Sequence, residues 1–379
     1  MEAACRYPCH RFRFWESSFM SLDALKDRIA RYTALDAPTG FEEPVLAAAR
    51  DELAKSCERV EVDVRGNVYG YQTGADPNAP LVMITAHADE IGFLVTSILP
   101  GGFLRFTKIG GPTDMVLPGQ RVRVLSATGA LEGVIGVKPG HVLQPGEARQ
   151  VPAISDLYID VGAESVEQAG EWGVEPGTPA VFVGELTSTR HPHRYFGKCV
   201  DNRMGVVAVL EAAERMQSQQ VDASRAFVIV VEEEVGLRGA AVAASHVTPD
   251  VVIAIDTAPA GGTPDMRGDE LPWEISKGPL VKVRETRGLS THGPLRRIIR
   301  DVAEERDIAY QLIVDTAGMT DATTAQQAGG FVAAGVIGLA RRYSHSAAEM
   351  FDIRDVQAII DLTCETTARL TSTDQLQRI

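Results

Sequence analysis

Asparagine is nearly missing from this chain. Asn67, Asn78 and Asn202 are its only copies, and none begins an Asn-x-Ser/Thr sugar acceptor. Cysteine is sparse as well. Cys5, Cys9, Cys57, Cys199 and Cys364 are odd in number, scattered, and never spaced as CxxC. A reducing cytoplasm is the location this suggests. No apolar run is long: Phe331 to Ala340 falls far short of the roughly 20 residues that span a bilayer. The N-terminus has no apolar signal core, because Arg11, Arg13 and Glu16 interrupt it. Basic residues are the minority, 37 against 51 acidic, for a formal net charge of −14. So acidic a surface repels phosphate, and neither nucleic acid nor membrane is an expected partner. Several catalytic signatures are also absent: the GxSxG elbow, the GxxxxGK[ST] phosphate loop, HExxH, and GxGxxG after a strand.

What is present is an ordinary soluble composition, 45% hydrophobic and 23% charged, over 379 residues. At about 150 residues per domain that length suggests two domains or three. Residues 1–19 show no helical or strand period and read as a non-native or disordered extension; Met20 reads as the true start. A helix follows, capped by Ser21, with Leu22, Leu25, Ile29 and Tyr32 on one face. Pro44 to Ser56 and Gly205 to Met216 also read as helices, and Pro294 to Arg306 and Val356 to Leu370 as amphipathic ones. Leu81 to Thr85 is an apolar run of strand length, as are Ala226 to Val231, Val251 to Ile255 and Val332 to Leu339. Such near-continuous runs suit parallel strands buried on both faces. Between Gly92 and Val183 the texture changes to short β-rich runs, Arg121 to Leu125, Leu131 to Val137, Leu157 to Val161 and Ala180 to Val183, separated by turn signals. The expected fold class is therefore α/β: a mixed, largely parallel sheet flanked by helices, with a small β-barrel-like domain inserted at 92–183 between catalytic segments 20–91 and 184–379.

Acidic residues and histidines gather where the apolar strands end, the crevice in which open α/β sheets build their sites. Leu81 to Thr85 leads to His87, Asp89 and Glu90; Ala226 to Val231 leads to Glu232, Glu233 and Glu234. Val251 to Ile255 leads to Asp256, and Val332 to Leu339 leads to Arg341, Arg342 and His345. Gly197 to Arg203, with Asp201, precedes a helix. Each residue alone has an ordinary reading. Asp201 would be a helix cap, the Glu run a solvated loop, His87 a hydrogen-bonded core histidine, Asp256 a turn cap, and His345 an exposed side chain. Together they crowd carboxylates into one desolvated crevice, which demands a compensating cation. Two divalent ions held by two His, two Asp and one Glu would compensate, with one carboxylate bridging them. The ligands suit zinc first, with cobalt or manganese as alternatives.

Six ordered motifs then carry a resemblance: AHADEIGF (Ala86 to Phe93), GKCVDNR (Gly197 to Arg203), EEEVGLRG (Glu232 to Gly239), AIDTAPA (Ala254 to Ala260), GMTDA (Gly318 to Ala322) and RRYSHSAAEM (Arg341 to Met350). From about Met20 to about Leu370 the chain resembles the co-catalytic metallo-aminopeptidases of the glutamyl-aminopeptidase and tetrahedral-aminopeptidase family. The resemblance implies a zinc-peptidase-like fold with an inserted β domain. It also implies that His87 and Asp256 bind one metal, that Glu234 and His345 bind the other, and that Asp201 bridges. Glu233 would be the general base and Asp89 would orient the His87 ring. Lys198, Thr320 and Asp321 would lie near the site. Asn202 stands where the family commonly has a second acid, GMTDA replaces a double-glycine form, and Arg341 and Ser344 flank the last motif unusually.

The expected function is removal of N-terminal residues from short peptides by a two-metal-activated water. Self-association from dimer to dodecamer through the inserted domain is expected too; a lid that only narrows access is the competing role for that domain. An N-acyl amino acid deacylase or a glycosidase on the same scaffold are alternative activities, the latter disfavoured because most carboxylates are consumed by metal. A non-catalytic oligomeric scaffold is a third reading. Arg341 and Arg342 could pair with an acidic substrate side chain, although structural ion pairs are the favoured use.

Overall fold

The computed structural model describes residues 21–144, 146, 150–328, 330 and 332–379. The extension read at 1–19, with Cys5 and Cys9, lies outside the described residues.

Strand alternation builds the larger unit. In the strand Leu81–His87, Val82, Ile84 and Ala86 enter one apolar cluster and Met83 another. Val251–Pro259 splits the same way, with Val251, Ile253 and Ile255 on one side and Val252 and Ala254 on the other. Both faces are dry, which is why these segments read as unbroken apolar runs. The first face is covered by helices Leu22–Thr33, Glu43–Ser56, Val200–Gln217, Gly293–Glu305 and Ile353–Arg369. Arg238–Val247 and Asp321–Ala325 cover the second. Ser21 caps the first helix, its side chain accepting from the Ala24 N–H.

The eight-stranded sheet runs in the order Arg59–Val62, Val68–Gln72, Ser224–Val230, Leu81–His87, Val251–Pro259, Ala333–Arg341, Leu280–Arg284, Gln311–Val314. Its centre, from Ser224–Val230 to Ala333–Arg341, is parallel. Antiparallel pairings join that centre to Val68–Gln72 on one side and Leu280–Arg284 on the other. The sheet is thus mixed, with a parallel core, and flanked by helices.

Gly92–Ile98, Leu104–Ile109, Tyr158–Asp160, Gly129–Gly136, Arg121–Ser126 and Pro179–Phe182 close, in that order, into a six-stranded barrel. Closure leaves no free strand edge. Phe93 is the hub of its core, meeting Phe106 and Phe182 edge-on at ring distances of 5.2 and 5.1 Å. A small antiparallel sheet, Thr187–Ser188, Arg194–Gly197 and Glu349–Asp352, lies beyond. Among the described residues no helix is long and apolar enough to cross a membrane.

Candidate metal centre

Parity and register bring the first residues together. His87 shares the face of Met83, and Asp256 that of Val252 and Ala254, because side chains alternate along a strand. The two strands pair in parallel with Val252 opposite Met83 and Ala254 opposite Thr85. Continued two residues, that register sets Asp256 beside His87. The observed approach is 3.8 Å from His87 Nε2 to Asp256 Oδ1. Ile229 and Val230 pair with Ala86 and His87, so the Glu run opens at the same level of the sheet.

The three glutamates point three ways. Glu232 is turned outward and pairs with Arg65 at 2.8 Å. Glu233 reaches within 3.9 Å of His87 Nε2, and Glu234 within 3.8 Å of His345 Nε2. Asp89 sets that fan. Its carboxylate accepts the N–H of Glu233 and of Glu234, each at 3.1 Å, and the Thr39 hydroxyl at 2.8 Å. His87 Nδ1 lies 3.1 Å from the Asp89 carbonyl oxygen and 3.3 Å from its Oδ1. Those oxygens only accept, so Nδ1 carries a proton and Nε2 is the ring nitrogen that faces Asp201 and Asp256.

Asp201 is not the helix cap. Asp201 and Asn202 both have non-helical backbone, and Asn202 does the capping: its Oδ1 accepts the Gly205 N–H at 2.9 Å. Its amide also donates to the Ile255 carbonyl at 2.8 Å, next to Asp256, a bond an aspartate could not give. The Asp201 carboxylate is therefore free to face the crevice, with Oδ1 3.2 Å from His87 Nε2 and Oδ2 3.4 Å from His345 Nε2. The result is two groups of potential ligand atoms, His87–Asp201–Asp256 and Asp201–Glu234–His345, each within 4.8 Å, sharing Asp201.

The barrel supplies part of the setting. His345 Nδ1 donates to the Gly111 carbonyl at 2.9 Å, which again turns Nε2 inward. A Cβ on Gly111 would come within 3.0 Å of that ring, and one on Gly110, at φ +68°, within 3.0 Å of Glu234 Oε2. Only glycines let this loop approach so closely. Glu349 ties the opposite side by accepting the N–H of Asp201 at 3.0 Å and of His345 at 2.8 Å. Lys198 and Arg203, flanking Asp201, converge on Glu90 at 2.8 and 3.1 Å and so hold the Asp89 and Asp201 loops together. Left-handed backbone at non-glycine residues also gathers here, at Cys199, Glu232, Leu237, Tyr343 and His345. Such conformations cost of order 1 kcal/mol or more each and cluster where function requires them.

Electrostatics records the crowding. Burial pushes the Glu234 carboxyl up to about 8, with Asp201 adding to it. Burial likewise raises Asp256, and it raises Asp321 to about 8 with help from Asp256 and Asp89. Burial opposes the charged form of His345, but Asp201 and Glu234 outweigh it and lift the imidazole to about 9. His87 is raised in the same way by Glu233, Asp201, Asp256 and Asp89. Asp201 Oδ1 and Glu234 Oε1 are buried without a hydrogen-bond partner. Orphaned acceptors, two inward-facing imidazole Nε2 atoms and surplus carboxylates fit a pair of divalent cations.

The crevice opens into a cavity of about 400 Å³. Its lining also includes Thr257, Pro259, Lys282, Asp315 and Met319. Lys282 is paired with Glu285 at 3.1 Å and Asp315 at 2.9 Å. Arg341, considered from sequence as a partner for an acidic substrate, is buried and committed to Asp201, Glu349 and Thr257. Arg342 donates to the Gly262 carbonyl at 3.1 Å. Asp321 is buried within reach of the charges on His87, Asp256 and Asp89, and the Thr320 N–H donates to Glu285. Cys199 is buried, and burial pushes its thiol up to about 12, which opposes the thiolate a nucleophile needs.

The sequence model of the M42 glutamyl aminopeptidase family matches residues 66–362. A lysyl aminopeptidase of Pyrococcus furiosus is 35% identical over 82% of this chain and 87% of that protein. A glutamyl aminopeptidase of Lactococcus lactis is 31% identical over 87% and 92%. Among solved structures, an aminopeptidase from the archaeon Desulfurococcus kamchatkensis superposes with a TM-score of 0.89 at 36% identity, covering 94% of this chain and 98% of that one. The TET1 peptidase of Pyrococcus horikoshii, described as assembling into a tetrahedron or a large octahedral shell, gives a TM-score of 0.81 at 30% identity over 91% and 100%.

Proposed function

This chain belongs to the M42 glutamyl aminopeptidase family, and from that premise we propose that it is a two-metal aminopeptidase that removes N-terminal residues from short peptides. The observation that carries the reading is the pair of ligand groups sharing Asp201. His87 and Asp256 would hold one ion, Glu234 and His345 the other, and Asp201 both, with zinc, cobalt or manganese suited to the donors. Ions so held would lower the pKa of water and polarise the scissile carbonyl. Glu233 belongs to neither group and lies 3.9 Å from His87 Nε2. Its carboxylate takes a proton from the attacking water and returns it to the leaving amine. Burial, with Asp256 and Glu234, raises its pKa, which favours a base that must also act as an acid. Asp89 is the positioning residue, through the His87 ring and the N–H groups of Glu233 and Glu234. We place the protein in the cytoplasm, as a self-associating shell of the dimer-to-dodecamer kind, with the barrel as the contact domain and residues 1–19 dispensable.

Exhaustive chelation should abolish activity, and zinc or cobalt should restore it; full activity without detectable metal would end this reading. Free-amine aminoacyl-p-nitroanilides should be cut and their N-acetylated forms spared, whereas equal rates would favour a deacylase or endopeptidase. Leu-p-nitroanilide should exceed Glu-p-nitroanilide by on the order of tenfold. The reason is that Lys282 and Arg341, the lysine and arginine lining the cavity, are each already paired with two carboxylates. A higher rate on the Glu substrate would refute that argument.

Loading metal-free protein should release protons. Burial and Asp201 lift Glu234 to about 8, and against burial Asp201 with Glu234 lifts His345 to about 9, so this pair shares bound protons at pH 7 that an ion must displace. Apparent affinity should therefore rise as pH climbs from neutral through those values. Calorimetric titration in buffers of different ionisation enthalpy measures the release; heats independent of buffer would contradict it.

A further inference from the structure

The two oxygens of Asp201 have unequal neighbours. Oδ1 faces His87 and has no hydrogen-bond partner. Oδ2 faces His345 and accepts a hydrogen bond from Arg341 Nη2. That guanidinium is held in place. Arg341 is buried, its Nη1 donates to Glu349 Oε1 at 2.8 Å, and its Nε donates to Thr257 Oγ1 at 2.6 Å. Glu349 is fixed in turn by the N–H groups of Asp201 and His345. Swinging Arg341 away would leave Glu349 buried and unpaired, and a guanidinium does not lose its proton.

We propose that Arg341 makes the two ion positions unequal, leaving the His87–Asp256 position strong and weakening the Glu234–His345 position. The inference rests on the ligand set proposed above and adds to it. An ion taking Oδ1 with His87 and Asp256 meets no competing cation at that oxygen. An ion taking Oδ2 with Glu234 and His345 must share the oxygen with a fixed positive charge, and like charges oppose each other strongly in a water-poor site. The chain therefore keeps one resident ion, while the second position fills and empties with the free metal concentration.

Cobalt titration of the metal-free full-length protein, followed by absorption, with metal counted after desalting, tests this without reference to turnover. Wild type should bind in two steps separated by at least about tenfold in affinity, and should retain about one ion after desalting. His87→Ala should remove the strong step and His345→Ala the weak one. Arg341→Met should narrow the gap by at least about tenfold through a stronger second step, whereas Arg341→Lys, which keeps the charge, should preserve two steps. Because Arg341→Met strands Glu349, the double variant R341M/E349Q provides the same comparison with both charges removed. Two equal strong steps in wild type, or an unchanged gap in the double variant, would overturn the proposal. Cobalt binding indifferent to both His87→Ala and His345→Ala would sink the ligand assignment itself, and the proposal with it.

Discussion

Glu233→Gln is expected to bind metal like wild type and to lose turnover by about 100-fold or more, the scale of a lost general base. The substitution keeps size and shape and removes only the ability to carry a proton. Glu233 stands outside both ligand groups, and its N–H bond to Asp89 is a main-chain contact that survives the change. Glu234→Gln is the control, because Glu234 lies one residue on and its own main-chain N–H likewise donates to the Asp89 carboxylate. It should lose affinity for one ion, the one nearest His345, and lose activity through that loss, so that excess metal recovers part of it. Metal content by mass spectrometry beside kcat separates the two variants. If both lose metal to the same extent, or neither does, the roles within the triple-Glu run have been assigned wrongly.

Much of this centre can be read from sequence because its carriers sit at the mouths of buried strands. A run such as Val251 to Ile255 followed by Asp256 announces both a strand and a charge that cannot rest easily at its end. Short edge strands send no such signal. Arg59–Val62 and Gln311–Val314 are four residues each with partly exposed side chains, too short for a period to stand out. The inserted segment reads as β-rich, yet Gly92–Ile98 and Leu104–Ile109 escape individual recognition, and closure of the barrel is a long-range pairing that no local pattern encodes. The parts of the site missed from sequence act through main-chain atoms. Gly111 orients His345 by its carbonyl, Glu349 gathers two N–H groups, and Asn202 caps the helix so that Asp201 need not. A bond to the backbone leaves no residue pair to find. The Gly110–Gly111 step was the available clue, since adjacent glycines before a proline suggest a close approach or a turn.

Asp201→Asn should damage both ion positions together, because its carboxylate is the element common to the two ligand groups. Asp256→Asn touches only the His87 group and should spare the other. The amide keeps the shape of Asp201 but removes the negative charge and turns one oxygen into a donor, which faces an ion badly. Affinity at each position is expected to fall by more than about 100-fold, since even outer partners of metal ligands are worth 10–100-fold. Activity should fall below detection at ordinary metal concentrations. One complication has a direct control. Asp201 is also one of two carboxylate partners of Arg341, the other being Glu349, so losing that ion pair costs stability as well. A thermal melt of Asp201→Asn measures that loss, and the triple variant D201N/R341M/E349Q removes the whole buried charge cluster. If the triple variant regains stability yet still binds neither ion, the shared-ligand role stands apart from the structural one. If Asp201→Asn instead holds one ion with wild-type affinity, Asp201 serves a single position and the bridge is refuted.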